Sequence, residues 1–151
     1  MILVAPADPA DPECAALLAQ SHALMQSMFT PDECHFLDID RLCAPHIRFF
    51  AATEGDRTLG IGAIALHDDY AEVKSMFTDP AARGRGVADA IVQTLIRAAA
   101  AEGRVAMKLE TGTGLDAAHR LYARHGFTPC GPFGAYVESP ASLFFERSAE
   151  A

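Results

Sequence analysis

Residues 72–91 read EVKSMFTDPAARGRGVADAI: an alternating, β-like run, then a loop of glycine and arginine, then the start of an apolar helical pattern. The loop is the feature that most narrows the choice of fold. Gly84 and Gly86 let backbone N–H groups approach a ligand with no Cβ in the way. The N–H groups of a helix's first turn have no intrahelical partner, and the helix dipole favours negative charge there. Arg83 and Arg85 add positive charge at the same point. A strand end, this loop and a helix start together form a site suited to phosphate or pyrophosphate. It is not a P-loop, because G-x-x-x-x-G-K-[ST] is absent. The competing reading, a flexible loop with solvated arginines, stays open at this point.

The rest of the chain is read from its periods. Met1 to Ala5 is a short apolar strand, stopped by PADPADPE. From Glu13, residues Ala16, Leu17, Leu24, Met25 and Met28 keep helical spacing, with Asp11 before Pro12 as cap. A short helix is expected over Asp38 to Ala44. Residues 47–53 and 59–67 are strands around a turn at Glu54-Gly55-Asp56. In the strand 70–78, strict alternation turns Glu72, Lys74 and Met76 one way and Val73, Ser75 and Phe77 the other. Val87, Ile91, Val92, Leu95 and Ala98 mark a helix ending near Gly103. A strand over 105–110, a helix from Leu115 to His125, and strands over 127–130 and 142–147 complete the chain. The order β α α β β β α β α β β is α/β, with too few βαβ units for a doubly wound sheet.

Charge and composition remove several function classes. The net charge is −8, which argues against nucleic acid as a partner. The first forty residues hold seven acids and no Lys or Arg, whereas eight of the twelve basic residues lie from Arg83 onward. This is either an acidic solvated face with ordinary surface arginines or the mark of an anionic ligand bound in the second half. No apolar run approaches the roughly 20 residues that span a bilayer. The start has no basic segment of the kind that opens a secretory signal, so a cytoplasmic protein is expected. Cys14, Cys34, Cys43 and Cys130 form no C-x-x-C pair, and no histidine falls in H-E-x-x-H. Neither a disulfide framework nor a metal site is expected.

Two further glycine clusters match the dinucleotide fingerprint. GIGAIA (60–65) lies inside a strand, where small residues packing beneath a neighbour explain it better. GTGLDA (112–117) lies between a strand and a helix, but a β-hairpin follows instead of a second parallel unit.

ARGRGVA resembles the Q/R-x-x-G-x-G/A motif of the GNAT superfamily, the acyl-CoA-dependent N-acetyltransferases. The preceding EVKSMFTDP resembles that family's fourth strand, and LYARHGF (121–127) its L-Y-x-x-x-G-F helix ending. The tail CGPFGAYVESPASLFFE (130–146) is similar to a subgroup of small bacterial members. The resemblance implies one acetyltransferase domain over residues 1–151, with a mixed, mostly antiparallel sheet flanked by helices. It implies acetyl-CoA as co-substrate, with Arg83, Gly84, Arg85, Gly86, Val87, Ala88 and Asp89 cradling the pyrophosphate. Met76, Phe77 and Thr78 would pair by backbone with the pantetheine arm, and the Met76 N–H would polarise the thioester carbonyl. Tyr122 would protonate the departing thiolate. Glu72, eleven residues before Arg83, would act as general base. The family's frequent Asn seven residues before the helix tyrosine is replaced by Leu115, for which Asp116 is the candidate substitute. Where the subgroup often has an acid after PFG, this chain has Ala135.

The implied reaction is direct acetyl transfer to a primary amine of a small molecule or peptide within a ternary complex. Such a site needs a base and an acid on opposite sides of the thioester. No Ser-His-Asp or Cys-His spacing favours a covalent intermediate, and Cys130 is expected to be an ordinary thiol. Lys74 could recognise a carboxylate on the acceptor or could simply pair with Glu72, while the acidic N-terminal helices would suit a cationic amine. A homodimer is compatible with the sequence. Two alternatives remain: an acetyl-CoA sensor without turnover, and a dinucleotide-binding module using GTGLDA.

Overall fold

A computed structural model describes residues 1–148. The strands are β1 (Leu3–Pro6), β2 (Ile47–Glu54), β3 (Arg57–Leu66), β4 (Ala71–Thr78), β5 (Met107–Gly112), β6 (Thr128–Cys130) and β7 (Ser142–Arg147). The helices are α1 (Pro12–Met28), α2 (Ile39–Leu42), α3 (Val87–Ala101) and α4 (Asp116–Arg124), with short 3-10 turns at Pro31–Glu33 and Pro80–Ala82. The strands form one seven-stranded sheet in the order β1-β2-β3-β4-β5-β7-β6. Every neighbouring pair is antiparallel except β4 and β5. This is the expected mixed, mostly antiparallel sheet. The parallel pair follows from α3, the crossover that carries the chain back to the start of the next strand.

Each face of the sheet has its own core. On one, α3 lays Val87, Ile91, Val92, Leu95 and Ala99 against the sheet, joined by Leu121 and Tyr122 of α4. On the other, Cys14, Leu17 and Leu18 of α1 and Leu42 of α2 pack on Ile61, Ala63 and Ala65 of β3. The α1 stripe is not the expected one. Positions 14, 17, 18 and 21 are buried, while Ala16, Leu24 and Met28 are exposed. The helix leaves the β2–β3 surface after Ser21, and its last turn runs out to Gly112 and Gly114. Asp11 stands at the cap position, but its side chain makes no capping bond.

GIGAIA is a packing device. A Cβ on Gly60 would come within 2.8 Å of Val87 Cγ1, and one on Gly62 within 2.6 Å of Ile91 Cγ2 and 2.7 Å of Met76 Sδ. The absent side chains let α3 settle directly onto β3, which fixes where its N-terminus lies. Gly62→Val is therefore expected to destabilise the protein by about 1–3 kcal/mol through overpacking. Urea unfolding would measure it, and unchanged stability would show that α3 can slide away at little cost.

The alternation expected for 70–78 breaks at Ser75. Between β3 and β4 the register runs from Ala63↔Lys74 to Ile61↔Phe77, three steps on one strand against two on the other. Ser75 takes up the extra residue with φ 58°, a left-handed conformation that non-glycine residues rarely adopt. The side-chain phase flips there. Glu72 and Lys74 share the α1 face, whereas Met76 packs into the core beneath α3 and Phe77 packs on the α1 side. The shared face expected for Glu72, Lys74 and Met76 is thus corrected: Met76 points the opposite way.

Candidate active site

The parallel contact between β4 and β5 is short. It registers Ala71 with Met107 and Glu72 with Lys108, and no pair follows among the described residues. From Val73 to Thr78 the β5-side edge of β4 has no strand partner, and backbone donors and acceptors there are free for an extended ligand. The bulge sits in this open stretch. The Ser75 hydroxyl oxygen, at the bulge, is buried without a hydrogen-bond partner.

The open edge leads to the glycine loop. Asp79 closes β4's end by accepting from Ala81 N–H at 3.0 Å. Gly84 and Gly86 have φ of 78° and 80°, and nothing lies within 4 Å of where their Cβ atoms would be. Ala90 is the first residue of α3 whose N–H finds a helical acceptor, the Gly86 carbonyl at 3.0 Å. The N–H groups of Val87, Ala88 and Asp89 precede it and point out of the helix start. Arg83 is exposed beside them. Arg85 is held by Glu54 at 2.6 Å, so part of its charge is already balanced. The Asp89 carboxylate turns to α4, bonded by His125 Nε2 at 2.8 Å and by Arg124. Burial works to raise its pKa, but the bonds from His125 and Arg124 outweigh it and leave the group below the usual carboxylate range. What Asp89 offers the loop is its backbone N–H.

Tyr122 and Glu72 lie on opposite faces of the sheet, on either side of the β4–β5 parting. Tyr122 is buried in the α3–α4 core, its ring 5.7 Å from Phe127 in a T-shaped arrangement. Burial first, and the nearby charge of Glu110 second, push its hydroxyl well above the ordinary tyrosine range, so it remains a phenol with a proton to give. Glu72 is buried and fully engaged. Its carboxylate accepts from Tyr136 Oη at 2.5 Å and Lys74 Nζ at 3.3 Å, and it lies 3.0 Å from His67 Nε2.

Several residues of this site carried no signal in the sequence. Tyr136, from the loop between β6 and β7, also accepts from Lys74 Nζ at 3.0 Å, and its ring meets His35, Phe133 and Phe144. Burial, then its bond to Glu72, raises its pKa far above the usual tyrosine value. Glu110 on β5 accepts from Ser142 Oγ at 2.8 Å. Lys74 also donates to the His35 carbonyl at 3.0 Å and so ties two loops to β4. These contacts bridge distant parts of the chain, so local spacing could not foretell them. Only Glu110 had a legible hint, a carboxylate alternating with Lys108 as Glu72 does with Lys74. Leu115 caps α4 without a side-chain bond, and Asp116 is turned to solvent, 3.8 Å from His119. It is His119 that reaches the end of β5, at 3.0 Å from the Gly112 carbonyl. A separate cavity of about 520 Å³ lies at the β6–β7 edge and includes none of the expected site residues.

Among the described residues no group of His, Cys, Asp and Glu could hold a metal ion, and no helix is long and apolar enough to cross a membrane.

Comparison with known proteins shows the family and the fold. The family model described as the acetyltransferase (GNAT) family matches residues 17–127. The N-acetyltransferase YedL of Escherichia coli, itself uncharacterized, is 39% identical over 140 residues, covering 91% of this chain and 88% of its own. A Klebsiella pneumoniae protein assigned as an acyl-CoA N-acyltransferase superposes with a TM-score of 0.85 at 28% identity, over 97% of each chain. The PaiA N-acetyltransferase of Thermoplasma acidophilum, solved in complex with coenzyme A, has the same fold, with a TM-score of 0.76 at 12% identity, over 98% of this chain and 99% of its own.

Proposed function

Because the chain belongs to the acetyltransferase (GNAT) family, we propose that it transfers the acetyl group of acetyl-CoA directly to a primary amine of a small molecule or peptide. The observation that carries this reading is the continuous path from the open β4 edge, past the unpartnered Ser75 hydroxyl, to the exposed N–H groups at the start of α3. The backbone of Met76, Phe77 and Thr78 would pair with the pantetheine arm, and residues Arg83 to Asp89 would hold the pyrophosphate. Helix dipole and orphan N–H groups favour that anion, and Arg83 adds to them.

The amine attacks the thioester carbonyl, whose developing oxyanion the Met76 N–H would stabilise. As the carbon–sulfur bond of the adduct breaks, the nitrogen gives up its surplus proton, and Tyr122 donates its own proton to the sulfur and recovers one from water. The raised pKa of Tyr122 supports this role, since the group stays protonated throughout the neutral range. Glu72, with its carboxylate engaged by Tyr136, Lys74 and His67, is better placed to hold the acceptor-side loops than to take a proton. The three bonds of the Lys74 ammonium, to His35, Glu72 and Tyr136, likewise leave it no spare donor for a substrate carboxylate. The β6–β7 loop, through Phe133 and Tyr136, would wall the acceptor side. We place the protein in the cytoplasm, where acetyl-CoA is supplied.

Calorimetry with acetyl-CoA tests the binding half. Gly86→Trp puts a bulky side chain into open space at the helix start, at a backbone cost of about 1–2 kcal/mol. We expect affinity to fall about tenfold or more, the equivalent of one or two charge-assisted hydrogen bonds. Unchanged affinity in a folded variant would remove the pyrophosphate from this loop. Turnover of any amine would exclude the sensor alternative, and competition by NAD would revive the dinucleotide one.

A further inference from the structure

Among the described residues, Glu110 is the carboxylate on the acceptor face whose bonding is incomplete. It projects from β5 on the same face as Glu72 and Lys74, opposite Phe144 of β7. Ser142, two residues along β7, donates its hydroxyl to one carboxylate oxygen at 2.8 Å, and among the described residues the other oxygen takes no hydrogen bond. That oxygen is not sealed from solvent, which leaves it open to an incoming donor. Lys74 cannot supply one, because its three donors are engaged elsewhere. The Lys74 charge balances Glu72, so the charge of Glu110 is the one left over on this face, and it favours a cation.

Resting on the acetyl-transfer reading above, we infer that Glu110 receives the acceptor's ammonium group and takes its proton, with Ser142 as the residue that positions it. The acceptor is then a primary amine that arrives charged, with no carboxylate beside the reacting nitrogen. One ammonium N–H bond breaks and its proton passes to the free oxygen of Glu110. The electron pair stays on nitrogen and forms the bond to the acetyl carbon. As the carbon–sulfur bond breaks, the adduct nitrogen releases its second surplus proton to water, leaving the neutral amide, and Glu110 returns the first proton to water. Glu110 and Tyr122 lie on opposite faces of the sheet, so base and acid would stand on opposite sides of a thioester held at the β4–β5 parting.

The surroundings suit a base that works near neutrality. Glu72 and Lys74 from β4, Cys34 and His35 from the segment before α2, Tyr136 from the β6–β7 loop and, across the sheet, Tyr122 from α4 all lie within electrostatic reach of Glu110. Burial raises its pKa most. The Ser142 bond, His35 and Lys74 oppose this, Glu72 adds to it, and the net shift is upward.

The test measures thiol release from saturating acetyl-CoA with ethylamine, 1,4-diaminobutane and glycinamide as probes, from pH about 6 to 10, for the wild type, Glu110→Gln, Ser142→Ala and Glu72→Gln. Calorimetry with acetyl-CoA runs alongside. Glu110→Gln should lower kcat/KM about 10²-fold near neutral pH, the scale of a lost general base. The deficit should shrink toward pH about 10, where free amine becomes abundant, while acetyl-CoA affinity holds. Ser142→Ala removes a bond that stabilises the charged form, so the acidic limb of its pH profile should move to higher pH. Glu72→Gln should lose activity equally at every pH. A uniform loss in Glu110→Gln, or none, would overturn the inference and leave the acetyltransferase reading standing. Wild-type protein that binds acetyl-CoA yet acetylates none of the amines would overturn that reading and this inference with it.

Discussion

Tyr122→Phe should lower kcat about 10²-fold, the usual worth of one positioned proton donor, and leave the affinity for acetyl-CoA unchanged. Phenylalanine keeps the ring that packs at 5.7 Å from Phe127 and deletes only the hydroxyl. That hydroxyl makes no hydrogen bond with another described residue, so its removal breaks none. The pH dependence carries the sign of the shift. Burial and the charge of Glu110 hold the phenol protonated well past the ordinary tyrosine value. The wild type should therefore show no loss of activity from Tyr122 ionisation below pH about 10, and the variant's deficit should be constant across that range. Steady-state kinetics on an acetylated amine would decide it. Activity close to wild type would reduce Tyr122 to a packing residue of the Leu121–Phe127 cluster and hand thiolate protonation to water.

Ile91→Ala should cost about 2–5 kcal/mol, the range for emptying a buried aliphatic site. Ile91 is 0% exposed, and its side chain fills the space above both Gly60 and Gly62. Those glycines cannot reach up to close the void, so relaxation is poor and the upper half of the range is expected. For a chain of this length, about 2–4 °C per kcal/mol puts the loss of Tm near 10 °C. The variant joins stability to function, because Ile91 lies one turn beyond the cradle that starts α3. Folded Ile91→Ala should bind acetyl-CoA more weakly than its stability loss alone implies. Calorimetry below the melting transition reads the second effect and thermal unfolding the first. A small Tm shift would mean that α3 collapses onto the sheet and that the glycines do not dictate its height.

Where local chemistry dominates, the chain was legible. The strand–loop–helix at 72–95 could be read because glycines with positive φ, a helix start and apolar spacing are all properties of neighbouring residues. The hairpin around Gly55 was legible for the same reason, as was the packing role of GIGAIA. The stripe of α1 was not. Alanine, leucine and methionine crowd that helix on every side, and only the edge of the β2–β3 surface decides that Cys14, Leu17 and Leu18 face inward while Leu24 and Met28 do not.

By itself, the sequence determined a mixed α/β order of elements and a glycine–arginine loop at the start of a long helix. Tertiary structure decided the chemistry beside that loop. A single extra residue at Ser75, legible only through the register with β3, reverses which side chains of β4 share a face, because strand alternation has a period of two and cannot absorb an odd step. Glu110 and Ser142 stand 32 positions apart, and Glu72 and Tyr136 stand 64 apart. Their pairing rests on β7 lying beside β5 and on the loop before it folding back over β4. Which carboxylate is filled and which stays open follows from donors delivered across the sheet, a property of the folded chain that no local spacing encodes.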